Sequence, residues 1–202
     1  MTQTTIASDG TALQARALLE EGLTANREGN ATRAAELFSE ALALAPSWHV
    51  PAFMLGSEYA AAGDFVRAEA YFAQTVLLAP DFHIARYQLG LLQFSGGRPQ
   101  LAMLTWAPLQ SLPADQPFPH LVQAFAALMV DEFEAARALF EAALPLSASN
   151  AGLAQDVGKL LDSIQEQIAV DKGGRDRTEA EEDKEATVSH VLLSNYAGHS
   201  IH

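Results

Sequence analysis

Four large aromatic side chains stand 34 residues apart: Phe38, Phe72, Trp106 and Phe140. Four alanines precede them by four positions, at Ala34, Ala68, Ala102 and Ala136. A third column, Gly29, Gly63, Gly97 and Asp131, keeps the same interval. A period in this range means stacked supersecondary units, each burying its apolar face against the next, rather than one irregular globule. Within a unit the pattern is helical. Ala34, Phe38, Ala41 and Leu42 share one helix face, as do Phe65, Ala68, Phe72 and Val76. Gly29-Asn30, Gly63-Asp64 and Gly96-Gly97 separate the first helix of a unit from the second. Glycine ends a helix in the left-handed conformation, and Asn30 or Asp64 then caps the next one. Asp131 reaches that conformation less readily than glycine, so the fourth turn is free to differ. Ala45-Pro46-Ser47 and Ala79-Pro80-Asp81 stop the second helix, with Ser47 and Asp81 as N-caps for the following unit. Pro113 and Pro145 fall near the same place in the later units.

These columns resemble the tetratricopeptide repeat (TPR) family. The family's Leu-Gly pair appears as Leu55-Gly56 and Leu89-Gly90, with Gly22 alone in the first copy, and its first-helix tyrosine appears as Tyr59. Its second-helix Ala, Phe, Ala appear as Ala34, Phe38, Ala41, then as Ala68 and Phe72 with Thr75 in the last place. Its closing proline appears as Pro46 and Pro80. The third copy keeps Leu89, Gly90, Ala102 and Trp106; the fourth keeps Ala136, Phe140 and Ala143 but has Gln123-Ala124 for Leu-Gly. The likeness covers about residues 15–150. It implies an all-α, right-handed α-solenoid of four TPR hairpins. The small residues would let paired helices approach closely, and the ring four places after each alanine would fill the space between units. Those columns are core rather than site.

The expected organisation follows. Residues 1–11 are a polar, disordered start, and 12–169 form the TPR domain, with repeats at about 15–48, 49–82, 83–116 and 117–149. A capping helix over 150–169 carries Leu153, Val157, Leu160, Leu161, Ile164 and Ile168 on one face and polar residues on the other, as a repeat array needs at its end. Residues 170–187 are dense in charge and read as a disordered linker. Residues 188–202 have no Lys, Arg, Asp or Glu and read as a tethered apolar motif, with Val188, Val191, Leu192, Leu193 and Tyr196 as its candidate contacts.

Composition narrows function further. The net charge is −13, which opposes nucleic acid, since phosphate needs Lys and Arg to neutralise it. The chain has no cysteine, so thiolate metal sites and Cys nucleophiles are excluded. The N-terminus lacks a basic start and an apolar run, and no apolar stretch reaches 18 residues. A cytoplasmic protein without membrane insertion is the expectation. No hydrolase, zinc-protease, phosphate-loop or dinucleotide motif is present, so no enzyme and no cofactor are expected. His49 and His83 share a repeat position, but equivalent helices lie about 10 Å apart, too far for an easy shared ion. His199 and His202 suit only adventitious metal, and Glu20-Glu21 is a solvated helix face.

Family members bind an extended peptide or short helix along a concave face lined by first helices. Counted from the repeat start, the inward positions are Arg16, Leu19, Leu23 and Asn26; Val50, Phe53, Ser57 and Ala60; Ile84, Tyr87, Leu91 and Phe94; and Phe118, Leu121, Phe125 and Leu128. Co-chaperones of the family that grip a C-terminal carboxylate use Lys, Asn and Arg here. The matching residues are Leu19, Leu23, Phe53, Ser57, Tyr87 and Leu91, so that clamp is absent. The resemblance therefore implies an adaptor with an apolar groove for an apolar or amphipathic protein segment, unless helix curvature buries these residues within the array. The linker's 17 residues from 171 to 187 span roughly 20–25 Å, so the chain's own tail reaches such a groove and would gate it. Two alternatives stand beside this reading: a TPR-type secretion chaperone for a hydrophobic client, and a self-associating assembly protein.

Overall fold

The computed structural model describes residues 9–174. Among them, nine helices follow one another with no strand: α1 (Asp9–Arg27), α2 (Ala31–Leu44), α3 (His49–Ala61), α4 (Phe65–Leu78), α5 (His83–Ser95), α6 (Pro99–Gln110), α7 (Pro117–Leu128), α8 (Phe133–Leu146) and α9 (Ala151–Gly174). The fold class is all-α, a series of helical hairpins of the solenoid type, as the 34-residue period predicts.

The turn inside each hairpin repeats bond for bond. Gly29, Gly63 and Gly97 have φ of 77°, 78° and 75°. After them, Asn30, Asp64 and Arg98 donate their backbone N–H to the carbonyls of Ala25, Tyr59 and Gln93. This is the six-to-one bond that closes a helix through a left-handed residue. In the fourth hairpin Asp131 takes the same conformation at φ 59°, and Glu132 bonds back to Ala127. The turn thus survives the loss of glycine, at the steric cost of a side chain in left-handed space. Asn30 and Asp64 cap α2 and α4 through the N–H of Arg33 and Arg67, at 3.2 and 3.0 Å. Between hairpins the outcome departs from expectation. Trp48, not Ser47, is the N-cap of α3, and no side-chain bond forms there. The N–H of Trp48 instead bonds to the carbonyl of Ala45, so a backbone turn ends the linker. Pro145 lies inside the last turn of α8 rather than after it, and α9 runs past 169 to Gly174.

The described chain divides into two compact units, one through Arg86 and one from Tyr87 onward. In the first, α1 packs on α2, α2 on α3 and α3 on α4. Leu19, Ala34, Leu37, Phe38 and Leu55 form its core, with Leu23, Trp48 and Val50 packed against them. In the second, α6 packs on α7, α7 on α8 and α8 on α9. The capping stripe is buried there at Leu153, Val157, Leu160, Ile164 and Ile168.

The period-setting columns are core, as expected. Ala34, Ala68, Ala102 and Ala136 are fully buried, and Phe38, Phe72, Trp106 and Phe140 are at most 1% exposed. Three of the rings rest on a glycine of the preceding helix; in the fourth hairpin Ala124 stands at that position. A Cβ added at Gly22 or Gly56 would stand 2.5 Å from Phe38 or 2.7 Å from Phe72. At Gly90 it would stand 2.2 Å from the Trp106 Nε1. The indole that replaces phenylalanine in the third copy needs a partner for its N–H, and it donates to the Tyr87 carbonyl at 3.0 Å. Thr75, standing where the family has alanine, is buried too, and its hydroxyl donates to the Tyr71 carbonyl at 2.8 Å.

Candidate protein-binding site

The first helices of the first unit carry the inward positions on α1, α3 and the start of α5. Leu23, Val50, Phe53, Ser57 and Ile84 are half-buried, and Leu19 is buried. The ring of Phe53 lies 5.6 Å from Phe72 and 5.0 Å edge-on from Phe82, and His49 lies 5.0 Å from Phe82. These contacts hold the apolar face in one arrangement rather than leaving it to flexible side chains. The Ser57 hydroxyl donates to the Phe53 carbonyl at 3.1 Å, so its polarity is turned back on its own helix. Of the other inward positions in this unit, Arg16 is exposed, Asn26 is half-buried and Ala60 is buried.

The second unit treats the same positions differently. Tyr87, Leu121 and Phe125 are fully buried, and Leu91, Phe94 and Leu128 nearly so; Phe118 is half-buried. Phe125 sits at the centre of a ring cluster, with Trp106 at 4.8 Å, Phe94 at 5.0 Å and Phe140 at 5.3 Å between centroids. Tyr87 stacks on Trp106 at 6.1 Å and meets Phe118 at the same separation. Rings of this size on neighbouring helices fill the space between them, and edge-to-face and offset contacts stabilise that filling. In this structure those residues are packing, not open surface. The physical cause is the coincidence of Trp106 with aromatic residues at 87, 94 and 125.

Two buried polar groups stand out, Tyr87 of the inward positions and Glu58, which is not one of them. The Tyr87 Oη is buried without a hydrogen-bond partner. Burial, and secondarily the Asp156 carboxylate of α9, raises its pKa well above the ordinary tyrosine value, so the phenol stays neutral. Glu58 on α3 is only 7% exposed, and its Oε1 accepts a short hydrogen bond from the Asn26 Nδ2 of α1. The repeat phase does signal Glu58. The signal is partial: one period on, Leu92 is 3% exposed, whereas Thr24, one period back, is exposed. The tail contacts Val188, Val191, Leu192, Leu193 and Tyr196, with His199 and His202, lie outside the described residues. Among the described residues no helix is long and apolar enough to cross a membrane, and no group of three or more acidic or histidine side chains is placed to hold a metal ion.

Hairpins in strict register, with glycine–ring pairs at their joints and apolar first-helix faces, define a helical repeat scaffold. A family model described as tetratricopeptide repeat matches residues 3–47 and 53–107. The chain belongs to the tetratricopeptide repeat family, whose fold is a protein–protein interaction scaffold. Solved structures agree on the fold. MamA 41-end from Desulfovibrio magneticus RS-1 is 15% identical, with a TM-score of 0.57 over 90% of this chain and 96% of that one. A MamA RS-1 double mutant gives 14% and 0.56 over 91% and 94%. Another crystal structure of MamA gives 20% and 0.56 over 72% and 84%. No curated protein is detectably similar in sequence.

Proposed function

We propose that this chain is an adaptor whose first helices receive an apolar or amphipathic segment of a partner protein. The supporting observation is the half-buried face formed by Leu23, Val50, Phe53, Ser57 and Ile84 in the first unit. It offers hydrocarbon and ring edges, with no lysine or arginine at the positions where a carboxylate would be gripped. Partly exposed apolar residues grouped on one face mark an interaction surface more often than an inert one. In this reading Leu19 holds the helices of the first unit in place behind the contact surface, while Tyr87, Leu91, Phe94, Leu121, Phe125 and Leu128 are core of the second unit.

Affinity enrichment with quantitative mass spectrometry tests the reading. The wild-type chain should enrich a defined partner. A chain carrying Leu23→Glu and Ile84→Glu, shown by circular dichroism to be folded, should lose it. Retention of the same partner by the folded double variant would refute the site. A third arm lacking residues 171–202 tests the gate, because a tail that competes for the face should raise partner recovery when removed.

A further inference from the structure

A second surface of the first unit lies away from the first-helix face. The outer side of α2 meets the C-terminal half of α3 and the start of α4 in a cleft of about 690 Å³. Ala31 and Ala35 of α2 and Ala62, just after α3, give it apolar walls, and Glu40 and Glu58 stand in it as well. The charges around it are mostly spoken for. Arg33 pairs with Glu36 at 3.1 Å. Arg67 pairs with Asp64 at 2.5 Å and lays its guanidinium 4.1 Å over the Tyr59 ring, which itself stacks on Tyr71. Among the described residues Glu40 and Glu58 have no cationic partner.

Glu58 is unusual among them. It is 93% buried by residue, the complement of its 7% exposure, yet it lines this cleft. One carboxylate oxygen is held by Asn26, and the other has no hydrogen-bond partner among the described residues. That second oxygen is not sealed in the core, and the residue lines the cleft, so it is open to a cationic group entering there. We infer that this cleft is a docking site for a lysine side chain of a partner protein, the ammonium lying between Glu58 and Glu40 and the methylene stem along Ala31, Ala35 and Ala62.

Geometry favours lysine over arginine. A guanidinium binds carboxylate best as a fork onto both oxygens, and Asn26 already occupies one of them. An ammonium is a compact charge that needs only the remaining oxygen. Its stem suits an apolar wall, since lysine buries its methylenes while keeping the head in polar surroundings. The face of Tyr59, the natural seat for a guanidinium, is taken by Arg67.

The test is a heteronuclear NMR titration of the full chain with three capped tripeptides, acetyl-Gly-X-Gly-amide, in which X is lysine, arginine or norleucine. The lysine peptide should produce saturable shifts at the amides of Glu40, Glu58, Tyr59 and Ala62. Norleucine has the same stem without the charge and should leave these amides unmoved. Arginine should bind at least severalfold more weakly. Glu58→Gln should weaken lysine binding by roughly tenfold or more, the usual weight of a charge-assisted bond. Should that variant lose helicity, Glu40→Lys, on an exposed residue, carries the same expectation. Equal shifts from norleucine, shifts that survive both substitutions, or no localised shift would each overturn the proposal.

Discussion

At Gly90 a single hydrogen holds the place of a methyl group. A Cβ there would press on a fully buried indole whose N–H is tied to the Tyr87 carbonyl, so the ring cannot yield without losing that bond. Gly90→Ala is expected to destabilise the chain by about 1–3 kcal/mol, the usual cost of overpacking. Gly158, inside α9, meets nothing within 4 Å. Gly158→Ala should stabilise by about 0.5–1 kcal/mol through helix propensity and a less flexible unfolded chain. Urea denaturation of the two variants checks both signs. Glu58 supplies the pH dependence. Burial pushes its carboxyl above the ordinary glutamate value, and the Asn26 hydrogen bond opposes that shift without cancelling it. The folded chain therefore holds this proton more tightly than the unfolded chain. Its contribution to stability is complete below the unfolded pKa and is lost as pH rises through the folded one. Glu36, Glu40, Tyr59 and Arg67 share the cleft with it. Glu58→Gln keeps an acceptor for Asn26 and cannot ionise, so it should raise Tm at pH 8 by more than at pH 4. A Tm difference that does not vary with pH would contradict this.

At the scale of elements, the hairpin turn is the best-determined part of the molecule. Four copies use one hydrogen-bond scheme, and three of them place glycine in left-handed space. Asp131→Gly should release about 1 kcal/mol of steric cost in the fourth turn. Thermal denaturation followed by circular dichroism would show it as a raised midpoint. These turns were legible in the sequence because glycine and its capping neighbour are local signals at a fixed interval. The start of α3 was not. A backbone turn from Trp48 to Ala45 does the work expected of the Ser47 hydroxyl, and no residue type announces such a turn. The inward aromatic residues were legible only by position. An aromatic residue on a first helix reads the same whether it faces a ligand or a neighbouring ring. Trp106 decides between these for Tyr87, Phe94 and Phe125 by filling the space beside them.

At the scale of the molecule, the period fixed the class of fold while leaving the two units unequal in a way no single column shows. The first keeps a half-buried apolar face and a cleft with an under-bonded glutamate. The second packs the corresponding face shut around Phe125. The chain has two tryptophans, and each unit holds one. Trp48 packs against the core of the first, and Trp106 is fully buried in the second. Trp106→Phe restores the residue used by the other three copies and leaves Trp48 as sole emitter, while Trp48→Phe does the converse. Intrinsic fluorescence then becomes a separate gauge for each half of the protein. In the Trp48→Phe background the remaining indole should emit in the blue and shift to the red on denaturation. Adding Gly56→Ala to the Trp106→Phe background should lower the midpoint seen by Trp48, because the strain at Phe72 lies in the unit that Trp48 reports.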